Sequence, residues 1–202
     1  MRSPSLDRDI GQSLSLKSAG AVARVSRSGS AVARSLLGVL LLFCAAPYLH
    51  GESFPAVNVS TLAGRELSLP EALAGRSSFL VTGFSQSSEK QTTVWRKEVE
   101  QAYSSDSRLV VYPVVVIENI PHIFHGLLVA GIRAGVPRDT WYRFLVVSAE
   151  ESKWKSLIGW LGPDIAYLVL LDSSGAVVWK ASGAYTKSAA ESLAAAVRHL
   201  EK

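Results

Sequence analysis

Cysteine is almost missing from this chain: of 202 residues, only Cys44 carries a thiol. It lies ahead of everything that reads as a folded domain. Residues 52–202 therefore have neither a disulfide nor thiol chemistry available to them. A long apolar run is also lacking. The longest, Leu36–Ala46, spans eleven residues, whereas a helix crossing the bilayer core needs roughly 20. An excess of charge in the body is missing too. The net charge of +4 and a pI near 9.3 suggest an anionic partner, but the excess sits at the front of the chain. Residues 1–51 hold Arg2, Arg8, Lys17, Arg24, Arg27 and Arg34 against Asp7 and Asp9, which leaves fifteen basic and fifteen acidic residues in 52–202. The body thus lacks the electrostatic footprint of a nucleic-acid binder. It also has no internal repeat and no low-complexity tract.

What the first 51 residues do have is the pattern of a leader. A Ser/Arg-rich segment precedes Leu36–Ala46, which has the length of a signal-peptide apolar region. Pro47 hinders a cut after Ala46, so cleavage is expected near Gly51. Three other readings compete. Leu41-Leu42-Phe43-Cys44 resembles a lipoprotein site faintly, with bulky Phe43 against it; the run could stay as an uncleaved membrane anchor; and residues 10–35, rich in Arg and Ser and free of acids, suit a mitochondrial presequence. The expected layout is 1–51 as signal peptide or anchor and 52–202 as one domain, exported to the periplasm or secreted. About 150 residues suffice to bury a core without disulfides or metal.

The body alternates strand and helix patterns. Phe54–Val59 and Glu66–Leu69 read as short strands, and Pro70–Ala74 as a short helix opened by proline. Ser78–Phe84 is apolar enough to be a central strand. The helix after it, about 88–103, is expected to begin at a capping box, Ser88-Glu89-Lys90-Gln91, and to bury Trp95, Val99 and Ala102. Leu109–Ile117 is the strongest strand, with Pro113 marking a bulge or an end. A helix from Pro121 is expected to present Ile120, Phe124, Leu127, Leu128 and Ile132 on one face. Tyr142–Val147 reads as a strand. Ser148–Glu151 reads as a second capping box, opening a helix with Trp154, Leu157, Ile158 and Leu161 aligned. Ala166–Leu171, a turn at Asp172–Gly175, and Ala176–Lys180 form a hairpin, and Ser188–Glu191 is expected to cap the last helix. This order indicates an α/β domain with a mostly parallel sheet, helices on both faces and an antiparallel edge.

Few residues offer chemistry. Ser85, Gln86, Ser87 and Ser88 stand at the strand-to-helix turn, where free N–H groups suit an anion, although capping explains them as well. No histidine near them in sequence offers a base. His122 and His125 have i, i+3 spacing, but only Glu118 stands close as a third ligand, so no metal site and no cofactor is expected. Asn58-Val59-Ser60 is a formal glycosylation triplet of the kind that arises by chance. Trp95 and Trp154 fall on core faces, which leaves Trp141 and Trp160 as the aromatic candidates for a binding surface.

Several stretches carry a family resemblance: Phe54-Pro55, Leu62-Ala63-Gly64-Arg65, Ser68–Arg76, and Asp172–Trp179 followed by Gly183. Together they resemble the thioredoxin-like superfamily, in its redoxin and peroxiredoxin-like branch, over residues 54–202. The resemblance implies a three-layer sandwich with a central mixed sheet. It also implies a CxxC or a single peroxidatic cysteine after the first core strand, and a cis-proline before the penultimate strand. Here the first position holds Ser85–Ser88, and the second holds Ala166 or Tyr167, with Pro163 too early in the chain. A helix N-terminus activates a thiol by stabilising thiolate, a gain too small for a serine hydroxyl. The ending Gly159-Trp160-Leu161-Gly162, Ile165–Asp172 and Val178–Gly183 is similar to that of the mitochondrial ATP synthase assembly-factor family, which is thioredoxin-like, with Tyr167 where thioredoxins keep proline. The resulting expectation is a redox-inactive domain that works by binding protein, as an assembly factor or chaperone, with membrane association through residues 36–46. A redoxin-class enzyme with a non-standard site, or one relying on Cys44, is the alternative.

Overall fold

The computed structural model describes residues 52–200, and the leader with Cys44 lies outside them. Eight strands make one sheet: β1 (Glu52–Ser53), β2 (Val57–Thr61), β3 (Glu66–Leu69), β4 (Ser77–Gly83), β5 (Leu109–Val116), β6 (Leu145–Val147), β7 (Tyr167–Leu171) and β8 (Ala176–Ser182). The order across it is β1-β8-β7-β4-β5-β6-β2-β3. Four helices accompany them: α1 (Gln86–Ala102), α2 (His122–Gly135), α3 (Glu151–Ile158) and α4 (Lys187–His199).

The central position of β4 follows from its residues. Ser78–Thr82 are all buried, with apolar Phe79, Leu80 and Val81 at the centre, as befits a strand with helices over both faces. Phe79 and Val81 share one face with Val111, Leu168 and Leu170, where Trp95 and Val99 of α1 and Leu193 and Val197 of α4 cover them. On the same side, α2 lays Leu128 and Ile132 over Leu62, Ile117 and Val146. The opposite face carries Leu80, Val114, Val169 and Leu171 under Trp154, Leu157 and Ile158 of α3, with Phe54 edge-on to Trp154 at 5.5 Å. Three layers result. Pro113 lies just ahead of Val114, where pairing with β6 begins, so one flank of β5 is free at the residue that has no N–H to donate.

Several expectations need correction. The sheet is mixed, as the resemblance implied, where the alternation of strands and helices alone pointed to a mostly parallel one: only β4–β5 and β5–β6 run parallel, because the N-terminal hairpin joins through β2 against β6 and the C-terminal hairpin through β7 against β4. The cap of α1 is Ser85, three residues before the expected one; the serine-rich turn contains more than one hydroxyl that fits a cap. The strand expected over Tyr142–Val147 shrinks to β6, Leu145–Val147, because the chain is still turning at Arg143, whose N–H donates to the Thr140 carbonyl at 3.0 Å. At the start of α3, Glu150 stands in the left-handed region at φ 62° with no side-chain cap. A carboxylate from elsewhere, Glu118, accepts the Glu151 N–H instead. That helix stops at Gly159, also at φ 62°, so Leu161 falls outside it and is 74% exposed. Thr186 rather than Ser188 caps α4, its hydroxyl accepting the Ala189 N–H at 3.2 Å. On α2, Phe124 and Leu127 are exposed, since the layer beneath reaches only Leu128, Val129 and Ile132.

The β7–β8 turn shows what close approach demands. Asp172 Oδ1 accepts the N–H groups of Ser174 and Ala176 at 2.8 and 3.0 Å. Gly175 sits at φ +87°, and a Cβ there would come within 2.7 Å of Pro70 Cβ. Gly64 has a similar φ of +85° with open space around it. Gly64→Ala is expected to cost about 1–2 kcal/mol from backbone strain alone. Gly175→Ala should cost about 1–3 kcal/mol more through overpacking against Pro70. Urea midpoints of the two variants measure the difference, and equal midpoints would refute the Pro70 contact.

Candidate functional site at the β4–α1 turn

The parallel strands β4, β5 and β6 end on the same side, and the loop entering antiparallel β7 meets them there. Such a carboxyl end is where open α/β sheets place ligands. The turn after β4 delivers Ser85 at the N-cap of α1, in extended backbone at φ −146°, ψ 166°. Its Oγ accepts the Ser88 N–H at 3.3 Å and donates to Asp164 Oδ1 at 2.9 Å. Ser88 is fully buried. Its hydroxyl donates to the Ser85 carbonyl at 2.7 Å and accepts the N–H groups of Phe84 and Ser85, both at 3.3 Å. The two serines thus form a reciprocal capping box, with the second serine taking the place usually held by Glu or Gln. Gly83 makes room for it: a Cβ at that residue would lie 2.9 Å from Ser88 Oγ.

The loop Gly159–Ala166 is held down on this turn. Gln91 of α1 donates through Nε2 to the Asp164 carbonyl at 3.3 Å and accepts the Ala166 N–H at 3.2 Å. Tyr167 is fully buried, and its hydroxyl accepts the Leu161 and Gly162 N–H groups at 2.8 and 2.9 Å while donating to the Gly162 carbonyl at 2.8 Å. Its ring stacks on Trp160 at 5.5 Å and 16°, and Phe84 closes the cluster edge-on, 4.4 Å from Trp160. Lys155 Nζ lies 4.3 Å over the Trp160 ring and pairs with Glu151, a buried carboxylate that also accepts from Asn119 Nδ2. The peptide bonds around Ala166 and Tyr167 are trans; the cis bond among the described residues is Leu69–Pro70.

The sequence candidates therefore separate. Ser85 and Ser88 come together at the turn, and Ala166 and Tyr167 stand beside them. Gln86 and Ser87 are exposed, with no side-chain hydrogen bond among the described residues. Trp160 belongs to this cluster and is half-buried by it. Trp141 belongs to a different one, near the end of α2, where its Nε1 donates to the Val136 carbonyl at 3.0 Å and Arg133 and Arg138 flank its ring at 5.3 and 5.6 Å. His125 Nε2 lies 2.7 Å from the Ile120 carbonyl, and no three His, Cys, Asp or Glu among the described residues are grouped to hold a metal. Phe84, Gln91 and Asp164 were not foreseen from sequence as parts of this site, because their partners are distant along the chain; Lys155 was missed although its i, i+4 spacing to Glu151 is a local signal.

Chemically the turn is closed. Both serine hydroxyl protons are committed, to Asp164 and to the Ser85 carbonyl, and among the described residues no imidazole is hydrogen-bonded to either oxygen. The Asp164 carboxylate also sits where the helix N-terminus would attract an external anion. Tyr167→Phe removes one oxygen and leaves the Leu161 and Gly162 N–H groups unpaired. It is expected to lower stability by about 1–3 kcal/mol. A urea midpoint indistinguishable from the unsubstituted protein would show that the phenol does not hold the loop.

Comparison with known proteins places this geometry. None of the curated proteins matches the chain. Solved structures share the fold. A candidate electron transport protein from Aquifex aeolicus VF5 superposes with a TM-score of 0.56 at 13% identity, covering 74% of this chain and 97% of its own. BsSco, a member of the Sco family of cytochrome c oxidase assembly proteins, gives 0.53 at 12%, covering 72% and 92%. A candidate thiol:disulfide interchange protein, DsbE, from Chlorobium tepidum gives 0.52 at 17%, covering 75% and 96%. The fold is thioredoxin-like, as the resemblance implied. The family model described as ATP10 protein matches residues 50–200, and with three quarters of its length so matched, the chain belongs to the ATP10 protein family.

Proposed function

We propose that this protein is a redox-inactive member of the thioredoxin-like fold that acts by binding another protein, as an assembly factor for a membrane complex. Membership of the ATP10 family, together with the resemblance to ATP synthase assembly factors, supports this reading and makes ATP synthase subunits the first clients to examine. The observation that carries the non-catalytic part is the content of the β4–α1 turn. Ser85 and Ser88 have the spacing of a CxxC pair, and both hydroxyls serve as structural caps. Tyr167 fills the position across from them with a ring and a phenol satisfied by the loop. Residues 52–202 contain no sulfur nucleophile to restore the chemistry.

In this reading the leader carries the domain to a membrane-bounded compartment. Organelle import fits the family better than bacterial export, and Leu36–Ala46 supplies any attachment to the bilayer. Two measurements test the function. Insulin reduction and peroxide turnover by the full chain are expected to stay at the buffer baseline. Turnover that disappears in Cys44→Ser would establish the redoxin-class alternative instead. Cross-linking in the native membrane, followed by mass spectrometry, should recover subunits of a membrane complex that accumulate unassembled when the protein is removed. Normal assembly of every membrane complex without it would refute the assembly role.

A further inference from the structure

The outer face of α2 is apolar and open to solvent. Of the fourteen residues of this helix only Arg133 carries a permanent charge, and none is fully buried. The helix docks through Leu128, Val129 and Ile132 over Leu62, Ile117 and Val146, and Arg133 fixes it by donating its Nε–H to the Leu62 carbonyl at 2.7 Å. On the far side Ile123, Leu127, Ala130 and Ala134 are all exposed and follow one another at i, i+4, i+7 and i+11, which is one stripe of a helix. Ile123 is 80% exposed and Leu127 73%, with Phe124 beside them at 50%. A helix apolar on both faces fits between two apolar layers, and the sheet supplies one.

The surroundings of the stripe indicate what the other layer is. Residues 119–149 hold three arginines, Arg133, Arg138 and Arg143, against one acid, Asp139; the rest of 52–202 holds twelve basic and fourteen acidic residues. A domain that is balanced in charge thus concentrates its positive charge around this helix. Among the described residues none of the three arginines pairs with a carboxylate. Each lies on an aromatic ring instead: Arg133 and Arg138 at 5.3 and 5.6 Å from Trp141, and Arg143 at 5.6 Å from Tyr142, which is largely exposed. An apolar stripe rimmed by cations and amphipathic rings is the pattern of a helix lying in a membrane interface. The stripe meets acyl chains, the rings sit at headgroup level and the cations face lipid phosphates. The stripe offers no donor or acceptor side chain, which acyl chains do not need, whereas protein interfaces carry hydrogen bonds across them. No helix among the described residues is long and apolar enough to cross a membrane, so the contact runs along the surface.

We propose that the outer face of α2, rimmed by Arg138, Trp141, Tyr142 and Arg143, docks on a bilayer that contains anionic phospholipid. This contact is separate from any that Leu36–Ala46 makes, and it does not rest on the assembly-factor reading. The test keeps the full chain and adds Cys44→Ser, so that Leu127→Cys carries the single label, an environment-sensitive fluorophore. Vesicles of phosphatidylcholine with phosphatidylglycerol are expected to shift its emission to the blue. The same label in Ser173→Cys, on the β7–β8 turn, should not shift. In flotation with these vesicles, Ile123→Ser/Leu127→Ser should bind about tenfold more weakly or worse. Its thermal melting should stay unchanged, since both side chains are exposed. Arg138→Gln, at an exposed position, serves if the double variant melts early; it should weaken binding several-fold, and high salt should abolish the difference. A Leu127→Cys label that stays in water, an equal shift without phosphatidylglycerol, or undiminished flotation of the variants would overturn the proposal. A shift that requires a membrane protein in the vesicle would overturn it too, and would assign the face to a protein partner.

Discussion

The carboxyl end of this sheet depends on one buried phenol. The Tyr167 hydroxyl takes two N–H groups from the loop before β7 and returns its own proton to the Gly162 carbonyl, so all three of its hydrogen-bonding directions are used inside the protein. A buried polar group is stabilising only when satisfied in this way. Once it is, the ring becomes a platform for Trp160 and Phe84, and the loop lies flat on the start of α1. Gln91 and Asp164 then seal the loop to the helix.

Function follows from what that closure displaces. A thioredoxin-like turn is reactive when the helix N-terminus is left free to stabilise a thiolate. Here Ser85 Oγ accepts the first-turn N–H of Ser88, Ser88 Oγ accepts those of Phe84 and Ser85, and a carboxylate faces the N-cap hydroxyl. The two serines resemble a CxxC pair in spacing and oppose it in consequence: they hold the helix and present no nucleophile. Surfaces remain elsewhere on the domain. Ile123 and Leu127 on α2 and Leu161 beside Trp160 are exposed apolar side chains.

Much of the fold was legible along the chain. The run Ser78–Phe84 announced the central strand, the spacing of Trp154, Leu157 and Ile158 announced the inner face of α3, and Asp172–Gly175 announced the last hairpin; each stands in the structure. The starts of the helices were less legible. Local pattern pointed to Ser88, Ser148 and Ser188, whereas the structure uses Ser85, the distant Glu118 and Thr186. Several hydroxyls in each turn satisfy the same short rule, and the direction from which the strand delivers the chain decides among them. Trp160 illustrates the same limit. Its place in a loop made it a candidate for a binding surface, and only the structure shows Tyr167 and Phe84 packed against it.

The sequence by itself determined three things about this protein: the order of strands and helices, the burial of β4 at the centre, and the absence of thiol chemistry from residues 52–202. Each rests on the identity or the spacing of neighbours, which need no third dimension to read. Only the tertiary structure decided that Ser85 answers to Asp164, 79 residues away, and that Ala166 N–H ends on Gln91, 75 residues away. Contacts of this kind arise when strands pair in a particular order, and no local periodicity records that order. The turn after β4 is thus a position that the sequence identified and a site whose closure only packing explains.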